Sequence, residues 1–293
     1  MRDDHLNGII LKGIGGFYYV QTEDELLECR AKGAFRKQGI TPLAGDRVQT
    51  QQSGGGLVIS EIEPRKNYFN RPPIANVDNF FLVVSATEPL PNILVIDRLT
   101  LLCEKRGIRP VILLSKTDLA PAPQIQEIYG SAGYEVIEIM ADEEAAVRRV
   151  KELCKGSLSV FSGNTGVGKS TFLNKLCPHL DLATNAISKK LGRGKHTTRA
   201  VELYEFEGGW IADTPGFSAL DFERLERTAK EELAPLFPEF RPHMEGCYFS
   251  GCSHTVEKGC AVLQALRQGE IHPSRHESYC YLYKEAKENE SYR

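Results

Sequence analysis

Two short motifs stand in an order that restricts the fold before anything else is considered. Gly163-Asn164-Thr165-Gly166-Val167-Gly168-Lys169-Ser170 matches G-x-x-x-x-G-K-[ST], the glycine-rich loop that wraps phosphates between a strand and a helix. The apolar stretch Leu158-Ser159-Val160-Phe161-Ser162 precedes it and an amphipathic segment follows from Lys169, so the local context is strand, loop, helix. A second motif, Ser115-Lys116-Thr117-Asp118, has the [N/T/S]-K-x-D form that reads guanine, and it ends the apolar run Val111-Ile112-Leu113-Leu114. In the usual arrangement this tetrapeptide follows the phosphate loop. Here it comes first, so a single sheet carrying both must be wound in permuted order.

The residue types explain the chemistry. Backbone N–H groups of the loop converge on phosphates at a helix N-terminus, where the dipole also favours anions. Gly163, Asn164, Thr165, Gly166, Val167, Gly168, Lys169, Ser170 and the adjoining Thr171 form the expected nucleotide-binding set. Lys169 would reach the β- and γ-phosphates and the Ser170 hydroxyl would bind Mg²⁺. Asp213-Thr214-Pro215-Gly216 fits D-x-x-G after a hydrophobic strand; Asp213 would hold the Mg²⁺ and the Gly216 N–H would face the γ-phosphate. Asp118 can accept from both N1–H and N2–H₂ of guanine, a donor pair adenine lacks, and Lys116 would pack along the base. Ser115 stands where asparagine is commoner, which predicts weaker bracing of the loop. Together these motifs look like a circularly permuted GTPase.

A first switch is expected in Gly192-Arg193-Gly194-Lys195-His196-Thr197-Thr198-Arg199. One of its threonines should complete the Mg²⁺ shell; spacing does not choose, and Thr198 is favoured over Thr197. Phe217 follows the D-x-x-G element at a position where other GTPases carry a water-orienting glutamine, and a phenyl ring cannot orient water. His196 is the nearest side chain able to do so, as a catalytic group beside Lys169; the alternative is a structural or phosphate-contacting histidine.

Glycine-punctuated short strands occupy residues 1–66, including Gly16-Phe17-Tyr18-Tyr19-Val20 and Gly45-Asp46-Arg47-Val48, and predict an OB-like β-barrel. Its basic positions Arg30, Lys32, Arg36, Lys37 and Arg47 surround Phe35, a ring that could stack on a base, but Glu23, Asp24, Glu25 and Glu28 nearly balance them. Residues 67–225 alternate strand and helix patterns, as in a doubly wound parallel sheet. Residues 226–293 turn helical around Cys247-x₄-Cys252-x-His254-x₅-Cys260. Three thiolates and one imidazole suit a closed tetrahedral Zn²⁺ site, structural rather than catalytic because no position is left for water. The start, MRDDHLNG, lacks an apolar signal core, and no run reaches the ~18 apolar residues of a membrane span, so a cytoplasmic protein is expected. The net charge of −3 leaves room for a nucleic-acid partner only through a local basic face; Lys189, Lys190, Arg193, Lys195 and Arg199 form the densest one.

The whole chain resembles the RsgA (YjeQ/YloQ) family. The likeness rests on Gly33-Ala34-Phe35-Arg36, Gly45-Asp46-Arg47-Val48, Arg71-Pro72-Pro73-Ile74-Ala75-Asn76-Val77-Asp78, the 192–198 stretch and the Cys/His cluster. It departs at Ser115 and near Met140-Ala141, where the family's second base-contact element is poorly preserved. The resemblance implies a multidomain α/β protein: an N-terminal OB barrel, a circularly permuted P-loop GTPase domain and a C-terminal helical zinc-binding domain. It also implies GTP and GDP as ligands, Mg²⁺ and one structural Zn²⁺ as cofactors, and the 30S ribosomal subunit with its 16S rRNA as partner. The subunit would stimulate hydrolysis during its late maturation, and His196 would be catalytic. No feature calls for a dimer, so a monomer without membrane contact is expected. Two other readings fit the motifs: a permuted GTPase acting on the large subunit, and an RNA chaperone whose nucleotide binding is only regulatory.

Overall fold

The computed structural model describes residues 6–178, 201–213 and 228–291. Strands β1 (Leu6–Ile14), β2 (Phe17–Gln21), β3 (Leu26–Ala31), β4 (Arg47–Ser53) and β5 (Gly56–Ile62) close into a barrel in the order β1-β2-β3-β5-β4. Period-two alternation points Ile10, Val20, Leu27, Cys29, Val48 and Ile59 inward. A one-turn helix, α1 (Gly33–Lys37), adds Phe35 to this core at 9% exposure. That corrects the expected base-stacking role: the ring is the apolar face of α1, and the exposed Arg36 and Lys37 beside it are the polar face. A buried ring offers no face to a base.

The strands β6 (Tyr68–Asn70) and β7 (Pro73–Ala75) form a small antiparallel pair, and Ala44 bridges to Ile74 from the barrel side. Beyond them lies a six-stranded sheet of β8 (Asn79–Ser85), β9 (Arg109–Ser115), β10 (Glu135–Glu138), β11 (Leu158–Ser162), β12 (Glu202–Phe206) and β13 (Gly209–Asp213). Its order is β10-β9-β8-β11-β13-β12. Every pair is parallel except β12 with β13, so the sheet is mixed, where a parallel one was expected. The reversal follows from a two-residue turn, Glu207-Gly208, with φ of 52° and 69°. Positive φ at both centres is the hairpin turn whose twist matches that of paired strands.

Helices α2 (Ile93–Arg106), α3 (Pro123–Ser131), α4 (Glu143–Cys154) and α5 (Lys169–Leu176) cover both faces. Alternate residues of one strand therefore enter different cores: Phe80, Leu82 and Val84 join one layer with α2 and α3, while Phe81 and Val83 join the other with α4 and α5. This is why β8 carries the unbroken apolar run Phe80–Val84 and has all seven residues buried. Helix α2 starts at Asn92, whose side chain accepts from Val95 N–H, and stops at Gly107 in the left-handed region.

The C-terminal part comprises α6 (Lys230–Leu233), a 3₁₀ turn (Ala234–Leu236), α7 (Arg241–Met244), α8 (Ala261–Gln268) and α9 (Pro273–Ser291). Phe237, Phe240, Val262, Ile271 and Tyr279 form its core, which Leu101 of α2 shares. The seam with α2 also holds a fully buried ion group. Arg275 of α9, with no exposed surface, donates to Asp97 Oδ1 at 2.5 Å and to Glu239 Oε1 at 2.6 Å. Its guanidinium lies 4.7 Å from the Phe237 ring centroid and 5.5 Å from that of Tyr134. Removing the cation strands two carboxylates away from water. Arg275→Ala is accordingly expected to destabilise the protein by about 3–5 kcal/mol. A urea titration would read this as a lower midpoint, and a shift equivalent to less than about 1 kcal/mol would refute it. Among the described residues no helix is long and apolar enough to cross a membrane.

Candidate functional site

Parallel pairing brings the predicted nucleotide motifs to one sheet edge. Ser85 of β8 sits opposite Ser115 of β9, and Ser162 of β11 opposite Leu82 of β8, so both strands run out to the same side. Strand β13 is parallel to β11, with Val160 opposite Ala212, and its backbone ends at Asp213 on that side too. A ligand crevice at the carboxyl ends of the strands is the general outcome of this winding.

The loop from β11 to α5 needs its glycines. Gly163 has φ of 155°, and a Cβ there would lie 2.8 Å from the Val83 carbonyl oxygen. Gly168 caps α5 with φ of 92°, a conformation that side chains disfavour. Val167 is buried beneath the loop, whereas Asn164, Thr165, Gly166, Ser170 and Thr171 are exposed and Lys169 is half-buried at the head of α5. The cleft beside the loop is lined by Pro89, Asn92, Val95, Gly163 and Asn164.

Ser115 is 2% exposed and points into this loop. Its Oγ lies 2.5 Å from the Val167 carbonyl oxygen and 3.2 Å from that of Val84, so the hydroxyl donates to the phosphate loop while closing on its own sheet. Serine thus does brace the loop, because β9 and the loop are close enough for a one-carbon side chain to span. Lys116 follows with φ of 58° and donates from Nζ to the Glu88 carbonyl at 2.5 Å. Glu88, on the loop after β8, was not legible as a partner because it contributes only its backbone. Asp118 is exposed beyond the turn. Ser115→Ala is expected to weaken binding of a fluorescent GDP analogue about two- to tenfold, the worth of one hydrogen bond. Unchanged affinity in a stopped-flow titration would show that the bond does not brace the site.

The second constellation is Cys247, Cys252, His254 and Cys260, whose ligand atoms all lie within 4.8 Å of one another. Cys247 Sγ is 3.8 Å from Cys260 Sγ and 3.5 Å from His254 Nδ1, which is 3.4 Å from Cys260 Sγ. Tetrahedral coordination at about 2.3 Å to sulfur and 2.0 Å to nitrogen requires edges of about 3.8 Å and 3.5 Å. The donor set fits a metal ion. Burial above all, with the neighbouring Cys260 and Glu257 adding to it, pushes the Cys252 thiol up to about 12; burial likewise raises Cys260 and lowers His254, so a cation is what would favour thiolates here.

A supporting layer surrounds these ligands. Burial opposes ionisation of Glu257, but bonds from Ser253 Oγ and from the backbone N–H groups of Ser253, Thr255 and Val256 outweigh it and hold the carboxyl down to about 2. His276 Nε2 lies 2.8 Å from the His254 carbonyl oxygen, and Tyr279 Oη donates to that of Ser253 at 2.7 Å. None of Glu257, His276 and Tyr279 belongs to a motif read from the sequence. His196, Thr197, Thr198, Gly216 and the basic residues of 189–199 lie outside the described residues, and of Asp213 only the backbone is described.

Comparison with known proteins decides the family. The model described as RsgA GTPase matches residues 62–223, and that of the RsgA N-terminal domain matches residues 7–57. The chain belongs to the RsgA GTPase family. A curated relative from Halalkalibacterium halodurans, named small ribosomal subunit biogenesis GTPase RsgA, is 46% identical over 96% of this chain and 97% of its own. One of the same name from Ruminiclostridium cellulolyticum is 43% identical over 98% and 95%. Among solved structures, YloQ, a circularly permuted GTPase, superimposes with a TM-score of 0.76 at 35% identity, covering 97% of this chain and 96% of its own. YjeQ from Thermotoga maritima gives 0.80 at 32% identity, covering 96% and 98%. Membership in the RsgA family makes the enzyme a GTPase, and the permuted motif order is that of its structural relatives.

Proposed function

We propose that this GTPase acts in biogenesis of the small ribosomal subunit, binding the 30S particle and its 16S rRNA and hydrolysing GTP faster when bound. The observation that carries this reading is the combination of a permuted nucleotide site flanked by a closed barrel and a Cys₃His cluster, in a chain whose relatives are named for small-subunit biogenesis.

The roles follow from position and chemistry. Asp118 selects guanine through its carboxylate, and Lys116, tethered to Glu88, lies along the base. Loop amides from Gly163 to Thr171 hold the phosphates at the head of α5, with Lys169 on the β- and γ-phosphates. Ser170, Thr198 and Asp213 would hold Mg²⁺, which neutralises charge on the phosphate oxygens when bound. Gly216 N–H meets the γ-phosphate, and His196 orients the attacking water. Cys247, Cys252, His254 and Cys260 hold zinc, the ion that three thiolates and an imidazole in a tetrahedron favour, in a structural role.

Steady-state GTP hydrolysis with purified 30S subunits, with 50S subunits and with neither tests the assignment. A rise with 30S alone is expected. Equal stimulation by 50S, or none by 30S, would remove the small-subunit assignment and leave the nucleotide chemistry standing.

A further inference from the structure

The barrel and the nucleotide sheet meet at an unusual place. Strand β12 is the sheet edge, and β1 of the barrel lies beside it. Ile9 and Leu11 of β1 pack against the same apolar layer that holds Val201 and Leu203. One residue beyond this seam, Lys12 Nζ lies 2.5 Å from Glu202 Oε1. The other carboxylate oxygen, Oε2, accepts from Tyr204 Oη at 3.2 Å. The ammonium also stands 5.3 Å from the Tyr19 ring centroid.

Three features set this pair apart from an incidental surface ion pair. Both side chains are partly desolvated, with 28% and 31% exposure, which strengthens their attraction over that of fully exposed charges. The register of β1 against β2 slips between Ile10 and Lys12, a bulge at Leu11. Bulges bend a strand and re-aim side chains, and this one falls at the residue that delivers Lys12. Most telling is where Glu202 sits. Its register partner is Asp213, the last residue of β13, whereas the closed end of the hairpin is Phe206 opposite Gly209. Glu202 therefore marks the open end of the β12–β13 hairpin. In sequence, the predicted first switch (192–199) runs into this end, and the D-x-x-G element with Phe217 (213–217), which would form a second switch at the γ-phosphate, runs out of it.

We propose that Lys12 is a positioning residue: its contact with Glu202 couples the barrel to the hairpin end from which both switches depart. Opposed residues of antiparallel strands have Cα atoms about 4.5–5.5 Å apart. A pull on Glu202 is thus delivered one strand away from Asp213, across a single strand pairing of the sheet. A partner that seats the barrel would bias the switches through this contact. Linkage requires the reverse as well, so the bound nucleotide must alter β1.

The experiment uses the full chain in six forms: wild type, Lys12→Glu, Glu202→Lys, the double charge swap, and the milder single variants Lys12→Met and Glu202→Gln. Amide hydrogen exchange of residues 6–14 is compared with GDP and with a non-hydrolysable GTP analogue bound, in the absence of any partner. Wild type and the double swap should show a nucleotide-dependent difference that the single variants reduce about two- to fivefold, the range of one partly exposed ion pair. Exchange in β1 that ignores the nucleotide in wild type, or that responds equally in the single variants, would overturn the proposal. A second readout is the ratio of 30S-stimulated to unstimulated hydrolysis, which rests on the proposed small-subunit function. Single variants should lose about two- to fivefold of the stimulation, and the double swap should regain it. Stimulation undiminished in the single variants would overturn the coupling, whereas wild type that responds in exchange but not to 30S would keep the contact and sink the small-subunit reading.

Discussion

Lys169→Ala is expected to lower kcat for GTP hydrolysis by about 10²–10³-fold, the usual effect of deleting one preorganised charge at a transition state. Lys169 heads α5 directly after the glycine loop, and in the proposed role its ammonium would stand where charge accumulates as the γ-phosphoryl group leaves. The fold should survive, because Lys169 is half-buried and the core beneath the loop is made by Val167, Phe172 and Leu176. Single-turnover hydrolysis at saturating GTP isolates the chemical step. A fall in kcat and kcat/KM together is the expected signature; a rise in KM at constant kcat would assign Lys169 to ground-state binding instead. A kcat within about threefold of wild type would refute the role outright.

What the sequence disclosed, and what it withheld, divides along the range of the interactions involved. The phosphate loop, the guanine motif and the Cys/His cluster are compact strings whose spacing encodes their own geometry. Their swapped order was therefore readable, and it required the permuted sheet before any contact was known. The ends of helix α2 are legible from local chemistry too, since Asn92 caps its start and Gly107 stops it. Strand direction is different. The pattern of β12 says strand but not which way it runs, and the available signal, the Glu207-Gly208 turn, needs both residues to be read as left-handed.

Residues whose role is set by a distant neighbour were harder still. Phe35 among basic residues suits a base or a core equally well; only barrel closure decides. An arginine is the last residue expected at the centre of a seam, since its charge normally keeps it in water. Arg275 is stable there because Asp97 and Glu239 arrive from two other elements, separated from it by 178 and 36 residues. Lys12 and Glu202, 190 residues apart, belong to the same class.

Stripping the metal should separate the two ends of the molecule. From Glu245 to Cys260 no helix or strand forms, and the described backbone bonds are sparse: Gly246 N–H to His243, Cys247 N–H to Met244, Tyr248 N–H to Gly259, Cys260 N–H to Glu257 and Gln264 N–H to Cys260. In the proposed zinc site, the four ligands together with the carboxylate of Glu257, which gathers its turns, would shape the segment. Structural zinc contributes about 10–16 kcal/mol in small isolated fingers, comparable with the entire stability of a typical domain. Cys252→Ser, or a strong chelator, is therefore expected to release the metal and unprotect amides across 245–260. Helix α9 should hold, because Tyr279 packs edge-on against the stacked rings of Phe237 and Phe240 and Arg275 anchors it to α2, neither of which uses a ligand. The central strands β8 and β11 should keep full protection, and unstimulated GTP hydrolysis should change little. Zinc content measured alongside hydrogen exchange tests each part. Retained protection of 245–260 in a metal-free protein would mean that Glu257 and the aromatic core suffice; loss of protection in β8 would mean that the metal sustains the nucleotide sheet as well.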